Sequence, residues 1–228
     1  MTTLYHLPLD ASSRFVRLVL AEFGQAVHLE LEKVWERRRD FLTLNPAASV
    51  PVMKTDDDLV VVGANPIIGY LTEAHEDRGA PHMPADIAAR AEVRRLMDWA
   101  LVLMEHDVTA VLVHEKAQKR GIPANLGGGP PDTSAMRIAR DNLDWHLDYI
   151  DHVLASRDWL AGERMTLADL AFAAALSSLD YLGEVSWADR AVAKLWYARV
   201  KSRPSFTPLL EERISGVIPP AHYDDPDF

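Results

Sequence analysis

The chain has 228 residues, of which 48% are hydrophobic and 25% are charged, as is usual for a globular protein with a substantial core. The absence of cysteine excludes disulfides, a catalytic thiol and thiolate metal sites. The net charge of -10 argues against binding to nucleic-acid phosphates. No apolar run approaches the roughly 18 residues of a membrane-spanning helix. We therefore expect a cytoplasmic protein without membrane insertion.

The first 76 residues alternate short strands with short helices. The predicted order is strand, helix, strand, helix, strand, strand, helix. Capping side chains at 10–13 open the first helix and Gly24 stops it. The predicted strands cover 3–7, 27–31, 52–55 and 59–62, and the later helices end at Leu44 and Ala74.

Pro51 follows a β-branched residue and precedes an apolar run, an unusual place because proline cannot donate to a strand ladder. A cis Val50–Pro51 peptide at the start of the strand would accommodate it, and a plain strand-starting proline is the alternative. The stretch Asn45-Pro46-Ala47-Ala48-Ser49-Val50-Pro51 resembles the asparagine-proline…valine-proline signature of the glutathione transferase family. In that family the cis-proline loop offers backbone groups to the cysteinyl part of glutathione.

Residues 77–85 are rich in proline, glycine and charge and are predicted to be an interdomain linker. Residues 86–213 show helical periodicity, and Lys116 to Asp132 interrupts it with three consecutive glycines and three prolines. We expect that interruption to be either a mobile flap or a partner contact. Residues 214–228 contain three prolines in their last eleven positions and are predicted to form an extended tail along the body.

Thr166 and Asp169 have the spacing of a capping box that opens an apolar, central helix. This element is the second mark of the glutathione transferase family, and it follows the proline motif in the expected order. The resemblance covers about residues 1–212. It implies an α/β thioredoxin-like domain (βαβαββα) followed by an all-α domain, and usually a homodimer formed through the first long helix of the helical domain.

A working transferase needs a hydroxyl or thiol that stabilises the glutathione thiolate. Ser12 and Ser13 are the candidate catalytic residues, because they lie at the start of the first helix, where an anion is favoured. The alternative is that both serines only cap that helix. Tyr5 in the first strand is a further candidate, and its position equally suits packing.

The resemblance implies a poor glutathione site. Gly63 and Ala64 stand where the family carries a Glu/Gln-Ser pair for the γ-glutamyl group, and neither has a polar side chain. Asn65, the next residue, is polar but lies one position after the place of the family's serine. Val50, Pro51 and Asn65 are therefore predicted to form a vestigial cleft in which glutathione binds weakly or not at all. The histidines show no paired ligand spacing, so no metal site is predicted.

Two segments carry features typical of recognition. Trp35 lies beside a run of arginines, and tryptophan and arginine are enriched at binding hot spots; folding of Trp35 onto the tail or the second strand is the alternative. The chain ends in alternating aromatic and acidic residues. The predicted partner-binding residues are Trp35, Arg37, Arg38, Tyr223, Asp224, Asp225, Asp227 and Phe228.

The poor site, the absence of cysteine, the glycine-rich loop and the acidic-aromatic end together resemble a bacterial group within this family. Its members bind the tubulin-like division protein FtsZ, curve its filaments and regulate constriction. The resemblance implies a non-catalytic homodimer that binds FtsZ filaments at the division site. The alternative is an active glutathione transferase that conjugates electrophiles and uses Ser12 or Ser13.

Overall fold

The computed structural model describes residues 1–75 and 82–225. Its N-terminal half has the predicted βαβαββα order. Each of the four strands is one residue shorter than its predicted range, because a terminal residue leaves the ladder. The elements are β1 (Thr3–His6), α1 (Ala11–Glu22), β2 (His28–Leu31), α2 (Arg39–Leu44), β3 (Val52–Lys54), β4 (Val60–Val62) and α3 (Ala64–Ala74).

The four strands form one sheet in the order β2-β1-β3-β4. β1 runs parallel to β2 and antiparallel to β3, and Tyr5 pairs with Glu30 on one side and with Val52 on the other. β3 and β4 form an antiparallel hairpin. The Val50–Pro51 peptide is cis, as predicted, and it immediately precedes β3. This mixed sheet with its cis-proline turn confirms the thioredoxin-like half.

The helical half begins with one long helix, α4, that is continuous over residues 87–118. It is α-helical at Ile87–Asp98 and Ala110–Val113 and has π-helical turns at Trp99–Leu103, Glu105–Thr109 and His114–Gln118. The helices that follow are α5 (Thr133–Leu154), α6 (Leu167–Tyr181), α7 (Ala191–Lys201) and α8 (Thr207–Glu211).

Helix α6 is the centre of the molecule, and each of its fifteen residues is buried. Its N-terminus has the predicted capping box: the Asp169 carboxylate accepts from the backbone N–H of Thr166 at 2.8 Å. α1 packs against α6, so apolar residues of both halves join in one core. The sheet and the helical bundle are therefore fixed to each other by buried surface.

The segment predicted as a loop from Lys116 begins later than expected, because α4 continues to Gln118. Lys116 itself lies in the helix, and its Nζ donates to the Leu182 carbonyl at 2.6 Å. The Glu115 carboxylate accepts from Lys119 Nζ and, at 2.6 Å, from the backbone N–H of Asp132. The Glu115 carboxylate therefore links Lys119, near the start of the segment, to Asp132 at its end.

The C-terminal segment lies along the body, but it is not extended throughout. Ile214 and Val217 form a short antiparallel bridge, and residues 221–224 form a turn. The Ile214 N–H donates to the Tyr181 hydroxyl at 2.9 Å, which docks the tail on α6. Most of the predicted linker at 77–85, and the tail residues 226–228, lie outside the described residues.

Candidate functional site

A cavity of about 250 Å³ lies between the start of α1, the segment before β3, and α4. We call it the cleft. It brings Val50 together with Asp10 from the N-terminus of α1 and Glu105 from a π-helical turn of α4. The remaining wall is mainly apolar, and Ser49 and Gln118 are its other polar residues. The apolar side chains that line it are Leu7, Leu9, Val34, Ala48, Ala110 and Val113.

The candidate serines do not line the cleft. Ser13 is fully buried, and its Oγ accepts from the Leu7 N–H at 3.4 Å. Its own N–H donates to Asp10 Oδ2 at 2.6 Å, so Ser13 belongs to the helix cap, as in the alternative interpretation. Ser12 is half-buried on α1 and is also absent from the cleft wall. Tyr5 packs its ring 5.6 Å from that of Phe41.

The N-terminus of α1 is instead occupied by the side chain of Asp10, the N-cap residue. An N-cap carboxylate takes the place that an external anion would need at a helix N-terminus. Burial raises the pKa of Asp10 from 3.8 to about 6, although its hydrogen bonds with Ser13 lower it. Burial and the nearby charge of Asp10 raise the pKa of Glu105 from 4.5 to about 8.

The start of α3 does not contribute to the cleft. Gly63 is the N-cap of α3 at φ 90° and ψ 152°, a conformation that is essentially limited to glycine. An acidic side chain at this position would therefore strain the backbone. Ala64 is buried. Asn65, predicted in the vestigial cleft, is exposed at a separate cavity, where its Nδ2 donates to Asp98 Oδ1 at 3.1 Å.

Pro51 is buried, and its carbonyl accepts from the Gly63 N–H at 2.9 Å, so it supports the turn between β4 and α3. Of the three residues predicted for the vestigial cleft, only Val50 lies on its wall. The prediction was wrong for Asn65 because Gly63 turns the chain into α3, which places that side chain next to α4 at Asp98.

The basic segment after β2 is partly available to a partner. Trp35 is half-buried in a 3₁₀ turn (Val34–Glu36), and Arg37 is exposed. Arg38, predicted as a partner contact, donates from Nε to the buried Glu32 carboxylate at 3.1 Å. The Arg38 side chain nevertheless remains 42% exposed. Of the two predicted arginines, Arg37 is the more available one.

The tail residues differ in their surroundings. Tyr223, predicted as a partner contact, is completely buried, and its hydroxyl donates to the Leu209 carbonyl at 3.0 Å. It is part of the core, because the turn at 221–224 folds its ring inward. Asp224 forms an ion pair with Arg213 and remains half exposed, and Asp225 is exposed. Asp227 and Phe228 lie outside the described residues.

Sequence reasoning did not identify Glu105 and assigned only a capping role to Asp10. A signal for Glu105 was present, since it lies four residues after Leu101 and eight after Met97, both on the buried stripe of α4. An acidic residue on an apolar stripe is seldom buried without a partner. Within residues 1–75 and 82–225, no group of three or more His, Asp or Glu side chains could hold a metal ion. No helix in these ranges is long and apolar enough to span a bilayer.

Comparison with known proteins agrees with this architecture. The family described as "Glutathione S-transferase, N-terminal domain" matches residues 12–74, and "Glutathione S-transferase, C-terminal domain" matches residues 96–204. The chain is 44% identical to "FtsZ-localized protein A" of Caulobacter vibrioides, over 99% of this chain and 98% of the relative.

Two solved structures resemble the whole chain. One is described as a glutathione S-transferase from Sinorhizobium meliloti, with 49% identity, a TM-score of 0.97 and full coverage of both chains. The other is FzlA from C. crescentus, with 43% identity and a TM-score of 0.91, covering 100% of this chain and 99% of the other. The two matched domains, the cis-proline turn and the buried capping box lead to one conclusion: this chain belongs to the glutathione S-transferase family.

Proposed function

We propose that this protein is a non-catalytic member of its family that associates with FtsZ filaments and regulates their curvature and constriction at the division site in the cytoplasm. Support comes from the relative named FtsZ-localized protein A, which is 44% identical and aligns over nearly the whole length of both chains. Likeness over the full length includes the tail as well as the two domains. The family alone would leave the choice between enzyme and binding protein open.

The observation that carries the non-catalytic part of the proposal is the pair of carboxyl groups in the cleft. A glutathione thiolate in the cleft would meet the negative charge of Asp10, and neither Ser12 nor Ser13 lies on the wall to donate a hydroxyl hydrogen bond. The start of α3 offers no side-chain donor at Gly63 or Ala64. Losing charge-assisted contacts costs about 1.5–3 kcal/mol each. The residues of the cleft therefore fit glutathione poorly, and we propose that it binds weakly or not at all.

Calorimetry separates this proposal from the enzymatic alternative. Titration with glutathione at millimolar concentration is expected to give no saturable heat, and a chlorodinitrobenzene-type electrophile is expected to be conjugated no faster than in buffer. Saturable binding with turnover that is lost in Ser12→Ala would instead establish a transferase. Glu105→Gln serves as a second variant at pH 9, where the Glu105 carboxyl group is ionised, because removal of this repelling charge should improve any residual glutathione binding.

The proposed filament contact combines the segment around Trp35 with the acidic tail. Trp35 and Arg37 offer a half-buried ring and an exposed cation, and Asp224 and Asp225 offer exposed carboxylates. Rings and guanidinium groups are the side chains that most often dominate binding energy. Tyr223 drops out of this contact because it is buried in the core, whereas Arg38 and Asp224 each form an ion pair within the chain and stay partly exposed.

Co-sedimentation with GTP-assembled FtsZ tests the contact. Trp35→Ala and Asp224→Lys are each expected to lose most of the sedimented protein while the circular dichroism spectrum stays unchanged. Arg37→Glu is expected to behave in the same way. Arg137→Glu, an exposed arginine on α5 with a 71% exposed side chain, is the matched control and should sediment like the unmodified protein. Full sedimentation of both Trp35→Ala and Asp224→Lys would eliminate this surface.

We also propose a homodimer. α4 and α5 together expose a hydrophobic face, with Val102 60%, Ile138 54% and Trp145 54% exposed. Trp145 stacks on Trp99 with ring centroids 5.4 Å apart. Exposed apolar side chains on neighbouring helices are typical of an interaction surface. Light scattering during gel filtration should give about 51 kDa, twice the 25.5 kDa of one chain. Val102→Glu should give the single-chain mass, and a dimer that persists in this variant would place the interface elsewhere.

A further inference from the structure

We propose that the cleft binds a small ligand that carries a primary ammonium group on a short apolar chain. The proposed site is independent of filament association, because it is formed by Asp10, Glu105 and the apolar wall around them. It assigns to the cleft a ligand class that is opposite in charge to glutathione.

Asp10 and Glu105 are the two ionisable residues on the wall of the cleft, and no lysine, arginine or histidine lies beside them there. The two carboxyl groups interact unfavourably, since the charge of Asp10 opposes ionisation of Glu105. A positive group between them would remove this repulsion and gain two attractive contacts.

Glu105 Oε2 is buried and has no hydrogen-bond partner among the described residues. Such an atom costs free energy unless a donor reaches it, and native structures leave few of them unexplained. Glu105 also lies on the wall of an open cavity, so a ligand can supply the missing donor. The carboxyl group of Glu105 is therefore placed as an acceptor for a bound molecule.

The apolar side chains of Leu7, Leu9, Val34 and Val113 surround the two carboxyl groups. Calcium or magnesium would need about six or more oxygen ligands, and the described residues contain no group of three or more acidic or histidine side chains that could hold a metal ion. An ammonium group has three N–H donors, and an attached alkyl chain would cover the apolar side chains. A cavity of about 250 Å³ suits a molecule smaller than a typical drug.

The test is a titration of the isolated protein with pentylammonium at pH 9, where Glu105 and the amine are both charged. Pentan-1-ol is the neutral probe of equal length, and pentanoate is the anionic one. Saturable binding is expected for pentylammonium alone by calorimetry. Because no FtsZ is present, the result is separate from the outcome of the filament experiment.

Glu105→Gln should weaken pentylammonium binding by about tenfold or more, since one charge-assisted contact is lost. Asp10→Asn is a second variant, which keeps a side chain that can cap α1. Glu73→Gln, exposed on α3, is the matched control and should bind like the unmodified protein. Equal affinity for pentan-1-ol, unchanged affinity in Glu105→Gln, or no binding of pentylammonium would each overturn the proposal.

Discussion

Arg14 on α1 donates a hydrogen bond from Nη1 to the hydroxyl of Tyr223 over 3.0 Å, although 209 residues separate them in the chain. Both side chains are completely buried. Nη1 also donates to Ser177 Oγ on α6 at 2.9 Å, and Nη2 forms an ion pair with Glu212 at 3.1 Å. One guanidinium group thus joins the thioredoxin-like half, the central helix and the C-terminal tail.

The first prediction concerns Tyr223→Phe. The Tyr223 hydroxyl accepts from Arg14 and donates to the Leu209 carbonyl, so its removal leaves a buried charge and a buried carbonyl short of a partner. The free energy of unfolding should fall by about 1–3 kcal/mol in urea titrations. Tyr70→Phe, at a partly exposed tyrosine on α3, is the control and should change it by less than about 0.5 kcal/mol.

The same variant checks the corrected placement of Tyr223. Sedimentation with FtsZ should be unchanged below the unfolding temperature, because a buried hydroxyl cannot contact a filament. Loss of sedimentation at unchanged stability would show that Tyr223 leaves the core and reaches the partner.

The order of elements could be predicted from the sequence because its signals are local. Gly24 and Pro51 mark the ends of elements wherever they lie in space, and the Thr166–Asp169 box needs only four residues. The burial of Tyr223 could not be predicted in this way. It depends on a partner 209 residues away, and an alternating aromatic and acidic sequence is compatible with either a surface or a docked turn.

The cleft was predicted only in part, because its contents depend on helix rotation. Placing serines at the start of α1 did not decide which of them faces the cavity, and Ser13 turns into the core. Glu105 begins a π-helical turn, where successive residues follow a different period from the 3.6 of an α-helix. The set of α4 side chains that point into the cleft therefore differs from the set that a regular α-helical period predicts.

The second prediction concerns Glu22→Gln. The buried Glu22 carboxylate accepts from Arg203 Nε at 2.6 Å, and it also pairs with His82 and Ser205. Replacement removes the negative partner of Arg203, whose side chain is 37% exposed, so the free energy of unfolding at pH 7 should fall by about 1–2 kcal/mol. Urea titration measures this loss, and Glu73→Gln is the exposed control.

Acid titration gives an independent check on Glu22. Burial raises the pKa of Glu22, but the hydrogen bonds from Arg203, His82 and Ser205 outweigh this and hold it well below 4.5. The stabilisation is present above about pH 4.5 and is lost as the pH falls further. The unmodified protein should therefore lose more stability than Glu22→Gln between pH 5 and pH 3. Equal losses of free energy of unfolding in the two proteins would show that the Glu22 ion pair does not stabilise the fold.

The third prediction concerns Asp169→Asn at the start of α6. Asp169 Oδ1 accepts from the Leu160 N–H and from Trp196 Nε1, both at 2.9 Å, and Oδ2 accepts from Thr166. In Asp169→Asn, the side-chain N–H₂ group replaces one of the two oxygens and therefore faces the donors that this oxygen accepted from. The free energy of unfolding should fall by about 3 kcal/mol or more, because a buried donor then faces a buried donor. Thermal unfolding followed by tryptophan fluorescence measures this, and a variant as stable as the unmodified protein would show that the box does not stabilise α6.

The fourth prediction concerns pH and Glu105→Gln. Burial and Asp10 raise the pKa of Glu105 from 4.5 to about 8, so the folded state retains a proton that the unfolded state releases between these values. Stability therefore falls as the pH rises through this window and levels off above about pH 8. Glutamine cannot ionise, so the variant should lose less free energy of unfolding than the unmodified protein between pH 5 and pH 9. The two losses should differ by more than about 1.4 kcal/mol. Urea titrations at both pH values, with Glu73→Gln as the control, measure the difference. An equal loss in Glu105→Gln would mean that this carboxyl group ionises freely in the folded protein.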